Sequence, residues 1–282
     1  MHVTNKNIQM KKHIKFFGIC LIVLGVTACQ KDELSNSELE TFDEIVNSEM
    51  ESHDIESHES DEIQSKCNGA PFRKDLPECA IVTVSNESFP KTVTIDFGDG
   101  CSDDKGRVKK GKVVIAASAP MKEEGSYRKI TFEDFFIGKV GIKGARVVTN
   151  KGVNENGNLV FSIEGEITTY NGKKYRSRKI DRQREWIAGS ETCDKSDDEF
   201  LITGTKYITT SKSKKTIIRK IIKPIHVAKS CKYPMSGVLS IEGGKRSGEI
   251  DFGNGTCDNK AILATSKGKV KEIDLDARKC KK

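Results

Sequence analysis

Thr92-Val93-Thr94-Ile95-Asp96-Phe97, followed by Gly98-Asp99-Gly100-Cys101, is the stretch that decides the fold. Val93, Ile95 and Phe97 alternate with Thr92, Thr94 and Asp96, the period of two expected of a half-buried strand. Gly98, Asp99 and Gly100 then tolerate the positive φ angles of a tight turn. The phrase returns near the other end of the chain as Ile250-Asp251-Phe252-Gly253-Asn254-Gly255-Thr256-Cys257. Each copy ends a hairpin-like stretch that begins just after a cysteine, Cys79 in the first and Cys231 in the second.

Cys79 and Cys101 are symmetric about Pro90, in the turn Glu87-Ser88-Phe89-Pro90, and Cys231 and Cys257 about Gly244. Hairpins folded there bring each pair face to face, which predicts disulfides Cys79–Cys101 and Cys231–Cys257. Cys67, Cys193 and Cys280 are left over, and Cys67 with Cys280 would staple the ends of the domain. No Cys-x-x-Cys pair exists to suggest structural zinc.

Outward from the repeat, short β-branched and aromatic runs recur with turn residues between them. They are residues 80–84, 112–115, 129–132, 159–163, 166–170, 200–203 and 216–219. Asn171-Gly172 between two such runs is the strongest hairpin signal in the chain. No long helical period follows residue 70. The expected fold is all-β, a mainly antiparallel meander of long hairpins in an open or curved sheet, with a β-sandwich as the second arrangement.

Charge divides the chain. Residues 30–66 carry 13 Asp and Glu against Lys31 and Lys66, a net of −11. Residues 67–282 carry 42 Lys and Arg against 28 Asp and Glu, a net of +14. The acidic stretch reads as a solvated tether, with one short amphipathic helix at Leu39, Phe42, Ile45, Val46 and Met50. The sharper reading folds this acidic arm back onto the basic domain.

Ahead of the tether, Lys11, Lys12 and Lys15 precede the apolar run 16–26, too short to span a bilayer and arranged as a secretory signal. The run ends in Val26-Thr27-Ala28-Cys29, which resembles the lipobox of bacterial lipoproteins. That resemblance implies a signal over residues 1–28, acylation of Cys29, a lipidated tether over 29–66 and a β domain over 67–282. An exported chain also meets the oxidising surroundings that disulfides need. Gln30-Lys31-Asp32-Glu33 is similar to the export signal that carries Bacteroidota lipoproteins to the outer leaflet of the outer membrane. With the lipobox and the repeated Ile-Asp-Phe-Gly-[Asp or Asn]-Gly segment, residues 79–275 resemble an uncharacterised group of β-rich Bacteroidota outer-membrane lipoproteins. The resemblance implies a location on the outer membrane, facing the cell surface in preference to the periplasm, and brings no activity with it.

Chemistry is sparse. His226, set in Pro224-Ile225-His226-Val227, is the one histidine beyond the tether and reads as a strand residue. No catalytic motif, cofactor fingerprint or metal-ligand spacing is present. Asp96, Asp99, Asp103 and Asp104 are dense enough to suggest calcium, but their spacing misses an EF-hand, and they read as turn residues. Asp194, Asp197, Asp198 and Glu199 form another acidic loop.

Lys174, Arg176 and Arg178 alternate along one strand, so they share a sheet face, and Arg182, Arg184 and Trp186 continue the series. A cationic face beside an indole is a candidate site for an anionic glycan, a lipid phosphate or an envelope protein. The bland reading is a solubilising outer face with charged edges. Sparse aromatics argue against nucleic acid. The expected role is a non-enzymatic binding or structural module at the cell envelope, held to the membrane by its lipid. A carboxylate-dependent enzyme on envelope glycans and an accessory subunit of an outer-membrane assembly are the alternatives.

Overall fold

The computed structural model describes residues 76–103, 106–212, 214–243 and 247–276. Cys29, the acidic tether, Cys67 and Cys280 lie outside them. The strands in chain order are β1 (Ile81–Val84), β2 (Lys91–Asp96), β3 (Cys101–Ser102), β4 (Val108–Ala117) and β5 (Tyr127–Ile137). Five long strands or their partners follow: β6 (Val140–Val153), β7 (Leu159–Asn171), β8 (Lys174–Ala188), β9 (Glu199–Thr210) and β10 (Thr216–Ala228). The chain closes with β11 (Ser236–Glu242), β12 (Gly248–Asn254), β13 (Lys260–Thr265) and β14 (Val270–Asp274). Among the described residues a single 3-10 turn, at Lys195–Asp197, interrupts them.

All strands belong to one antiparallel sheet, in which each pairs with the next along the chain and only the two-residue β3 sits aside, on β4. The sheet is open, with β1 and β14 as its edges. The expected meander is therefore observed, and the sandwich arrangement is not. Residues 159–163 and 166–170 are one strand, continuous through Gly165. At the Asn171-Gly172 signal, Asn171 pairs with Lys174, so the two loop residues are Gly172 and Lys173. Gly172 takes φ +57° as the first of them.

One face of this sheet is buried along nearly its whole width. At the amino-terminal end, Val93, Ile95, Phe97, Ile115 and Ile130 form one apolar cluster. A larger cluster runs from Val148 through Phe161, Trp186 and Phe200 to Leu239, Ile250 and Leu263. Register shifts put extra residues in β5, β6, β8, β10 and β12, and such bulges bend strands and raise their twist. At two central positions glycine is required by close approach. A Cβ on Gly165 (φ +151°) would lie 2.3 Å from the Ala145 carbonyl oxygen. One on Gly204 (φ +110°) would lie 2.3 Å from the Asp181 carbonyl oxygen and 2.7 Å from the Arg182 Cα.

Both predicted disulfides are formed, Cys79–Cys101 with Cα atoms 5.6 Å apart and Cys231–Cys257 with 5.8 Å. The hairpin argument behind the first needs correction. Ile81 pairs with Asp96 and Val84 with Val93, which centres that hairpin between Ser88 and Phe89 rather than on Pro90. The turn through Gly98 and Asp99 absorbs the difference and returns Cys101 to Cys79. The repeat itself is structural. Asp96 accepts a 2.9 Å hydrogen bond from the Gly98 amide, and Asp251 does the same for Gly253. Ile95 and Ile250 are each buried one residue earlier. Cys193 is also disulfide-bonded.

Candidate anion-binding face

Alternation fixes which side chains of the central strands turn inward. On β8 these are Arg176, Arg178, Ile180, Arg182, Arg184 and Trp186, and the other side carries Tyr175, Ser177, Lys179, Asp181, Gln183 and Glu185. The inward set is the buried one: Arg178, Arg182 and Arg184 are 5–8 % exposed and Trp186 is 4 %. The solubilising-face reading therefore fails for these residues. It holds at Lys174, which is exposed, and Arg176 is half-buried at the margin.

Three cations from neighbouring strands join them. Arg146 on β6 is 5 % exposed, Lys206 on β9 is 0 % and Arg219 on β10 is 2 %. Register aligns them in rows across the sheet. Arg146 pairs with Gly165, Gly165 with Ile180, Ile180 with Lys206, and Lys206 with Arg219. The next row is Val148, Ile163, Arg182, Gly204 and Ile221. Adjacent strands stand about 4.8 Å apart, so the first row spans about 19 Å. In the first row Gly165 and Ile180 separate Arg146 from the adjacent pair Lys206 and Arg219, and in the second Arg182 stands alone between Ile163 and Gly204.

Several contacts hold the face. The Arg184 guanidinium lies 4.7 Å from the Phe200 ring centroid and 5.7 Å from that of Phe161, a cation–π arrangement on both. An Arg178 Nη1 donates to Thr169 Oγ1 at 3.4 Å. Trp186 Nε1 donates to the buried Asp198 carboxylate at 3.1 Å, and its ring packs 5.6 Å from Phe200. Arg128 on β5, also buried, follows a different solution and donates to the Ala119 carbonyl at 2.6 Å and the Tyr127 carbonyl at 3.1 Å. Burial lowers its pKa, but a guanidinium stays charged.

Inward positions of β6 to β10 include no aspartate or glutamate. None of the six buried cations is without a partner. Chemically, such a face suits carboxylate, sulfate or phosphate oxygens, which guanidinium groups can grip in pairs. Arg146 and Lys206 were not singled out from the sequence. Each sits in an ordinary alternating run, and only long-range register brings them to β8.

Other polar groups belong to different places. His226 Nε2 lies 2.7 Å from Glu199 Oε2 across β9 and β10, a half-buried cross-strand pair. Asp96 is held by the Gly98 amide and by Lys112 Nζ at 3.0 Å, and Asp103 by Arg107 at 2.8 Å. These contacts account for two of the acids in the calcium reading as turn and ion-pair residues. Among the described residues no group of three or more metal-ligating side chains comes together. On the outward face, a depression of about 370 Å³ is lined by Lys151, Asn154, Val160, Glu185 and Leu201 among others. Hydrogen bonds, first from Asn158 and then from Asn154, hold the Glu185 pKa below the usual carboxylate value.

No protein-family model matches this chain, and neither do curated proteins or solved structures.

Proposed function

We propose that this chain is a lipid-anchored, non-enzymatic binding module of the bacterial outer membrane, attached through Cys29, whose ligand is an anion-bearing envelope glycan. The observation that carries the binding role is the set of six buried cations, Arg146, Arg178, Arg182, Arg184, Lys206 and Arg219, on one face of β6 to β10. Burying charges costs several kcal/mol per ion unless opposite charges meet them. A stretch of sheet that serves only as scaffold would be better filled with the aliphatic residues found at both its ends. Guanidinium groups set along one face can grip carboxylate, sulfate or phosphate oxygens in pairs, and the aliphatic residues between them would pack against sugar rings. The anchor rests on Lys11, Lys12 and Lys15, the apolar run and Val26-Thr27-Ala28-Cys29.

The test is an anionic-glycan array probed with the full chain carrying Cys29→Ser, with and without Arg182→Gln and Arg184→Gln. Binding to sulfated or uronate glycans is expected, weakened by salt and reduced at least tenfold in the double variant. Binding that ignores both salt and the double substitution would sink the proposal, as would none at all.

A further inference from the structure

We infer that the lysine-tipped turns along one rim of the sheet form a docking edge for an anionic phospholipid surface, so that the domain meets the membrane with its strand ends. This rests on the reading of the chain as membrane-anchored, and it concerns a surface separate from the inward cations of β6 to β10.

In a meander, alternate turns fall at the same rim. Register places the turns 138–139, 172–173, 211–215 and 266–269 together, since Ile137 pairs with Val140, Asn171 with Lys174, Thr209 with Thr216 and Ala264 with Val270. These turns carry Lys139, Lys173, Lys212, Lys214, Lys215, Lys267 and Lys269, all exposed, and not one acid. The opposite rim has the reverse sign. Its turns 118–126, 154–158 and 189–198 expose Glu123, Glu124, Glu155, Glu191, Asp194 and Asp197. Two turns depart from this division. The turn 97–107 on the lysine rim is mixed, with Arg107 bound to Asp103, and 229–235 on the acidic rim carries Lys229 and Lys232.

The geometry suits a plane of phosphates better than a single bound anion. Turns at one rim recur every second strand, about 10 Å apart along the sheet. Those at 138–139 and 172–173 are two residues long, so their lysines stand just beyond the last ladder pair. Attraction to an anionic bilayer fades within a Debye length, roughly 8–10 Å at physiological salt, and so acts on charges at the tips before any others. Lysine also fits the task. Its hydrated point charge on a flexible stem can follow fluid headgroups, whereas the rigid fork of arginine suits a defined oxyanion.

The path of the chain favours a membrane over a soluble polyanion. Ile81 pairs with Asp96, Cys79 is bonded to Cys101, Cys101 pairs with Lys109, and Lys109 with Ile137 beside the first lysine turn. The chain therefore enters the sheet at the lysine rim. An anchor at the amino terminus would draw that rim toward the bilayer.

The experiment uses the full chain carrying Cys29→Ser, so that acylation plays no part. It reads the ratio of affinities for phosphatidylglycerol–phosphatidylcholine vesicles and for vesicles of phosphatidylcholine alone. Each lysine near an anionic surface contributes about fivefold, so the preference should be at least a hundredfold at low salt and vanish in about 1 M salt. K139Q, K173Q, K212Q and K214Q together should lower it at least tenfold. The same number of exposed lysines neutralised elsewhere, as K122Q, K129Q, K151Q and K223Q, should leave it within threefold, as should Arg182→Gln with Arg184→Gln. Equal losses in the two lysine sets would mean net charge alone and overturn the inference, as would no preference for the anionic vesicles. A tip variant that loses heparin, a sulfated polyanion without a bilayer, in place of vesicles would overturn it in favour of a soluble ligand. The glycan-binding reading fails separately, if heparin binding ignores Arg182→Gln and Arg184→Gln while tip-dependent vesicle binding persists. An unacylated Cys29 in the native protein would remove the anchor and, with it, the membrane as the occupant of this rim.

Discussion

At its two ends the sheet buries hydrocarbon, and in its middle it buries charge. Ile95, Ile115 and Ile130 at one end, and Leu239, Ile250 and Leu263 at the other, are at most 4 % exposed. In β6 to β10 the same face carries Arg146, Arg178, Arg182, Arg184, Lys206 and Arg219 at comparable burial. Each buried isoleucine or leucine stabilises by about 1.5–3 kcal/mol. Each buried cation costs unless it is matched. The ends also hold the Cys79–Cys101 and Cys231–Cys257 disulfides. The middle strands bury Phe161, Ile163, Ile180, Trp186 and Phe200 beside their cations, so they carry hydrocarbon and charge on one face, whereas the ends carry hydrocarbon and cross-links.

The largest expected effect is in the middle. Gly204→Val would place a Cβ 2.3 Å from the Asp181 carbonyl oxygen at φ +110°. Strain and overpacking together should lower stability by about 3 kcal/mol or more, read from the urea midpoint. An unchanged midpoint would mean that β9 does not approach β8 this closely, and the central rows would lose their register. Next come the ends. Paired Cys→Ser changes at Cys79 and Cys101, or at Cys231 and Cys257, should each lower stability by roughly 2–5 kcal/mol. Heparin affinity should stay the same below the new midpoint. A parallel loss of affinity would show that ends and middle are not separable.

The smallest effect concerns a repeat turn. The amide hydrogen bond from Gly98, and then Lys112, hold the Asp96 pKa below its usual value. A carboxyl lowered on folding adds stability above its unfolded pKa of about 3.9, and that contribution fades as pH falls through the lower folded value. Asp96→Asn should therefore flatten the acid limb of a stability-against-pH curve while leaving neutral binding untouched. Because Asp96 is only half-buried, the change should be slight, and a large one would mean that this turn supports more than its own hairpin.

Much of the scaffold was legible because its signals are local. Alternation found most strands, and the repeated Ile-Asp-Phe-Gly phrase found both disulfides, although the first hairpin turns between Ser88 and Phe89 instead of at Pro90. Gly165 split one long strand into two because glycine usually ends a run, whereas here it allows a backbone approach. The site was legible by half. Parity put Arg178, Arg182, Arg184 and Trp186 on one face, but both faces of β8 are polar, so hydropathy could not say which turns inward. Arg146, Lys206 and Arg219 depend on pairings across four strands, which no local window contains.

The unbroken order of the meander has a consequence for how the protein comes apart. Because chain neighbours are ladder neighbours, strands can peel away only from the two margins, one hairpin at a time. At the amino-terminal margin the cross-link sits on the outermost hairpin itself. At the other margin the Cys231–Cys257 bond lies one hairpin in, leaving β13 and β14 outside the clasp. What fastens them is the buried Leu275 and the contacts of Asp276 with Tyr233 and with Lys232 Nζ at 2.5 Å. Unzipping therefore begins at the carboxyl-terminal margin, and amide exchange should be fastest there among the paired strands.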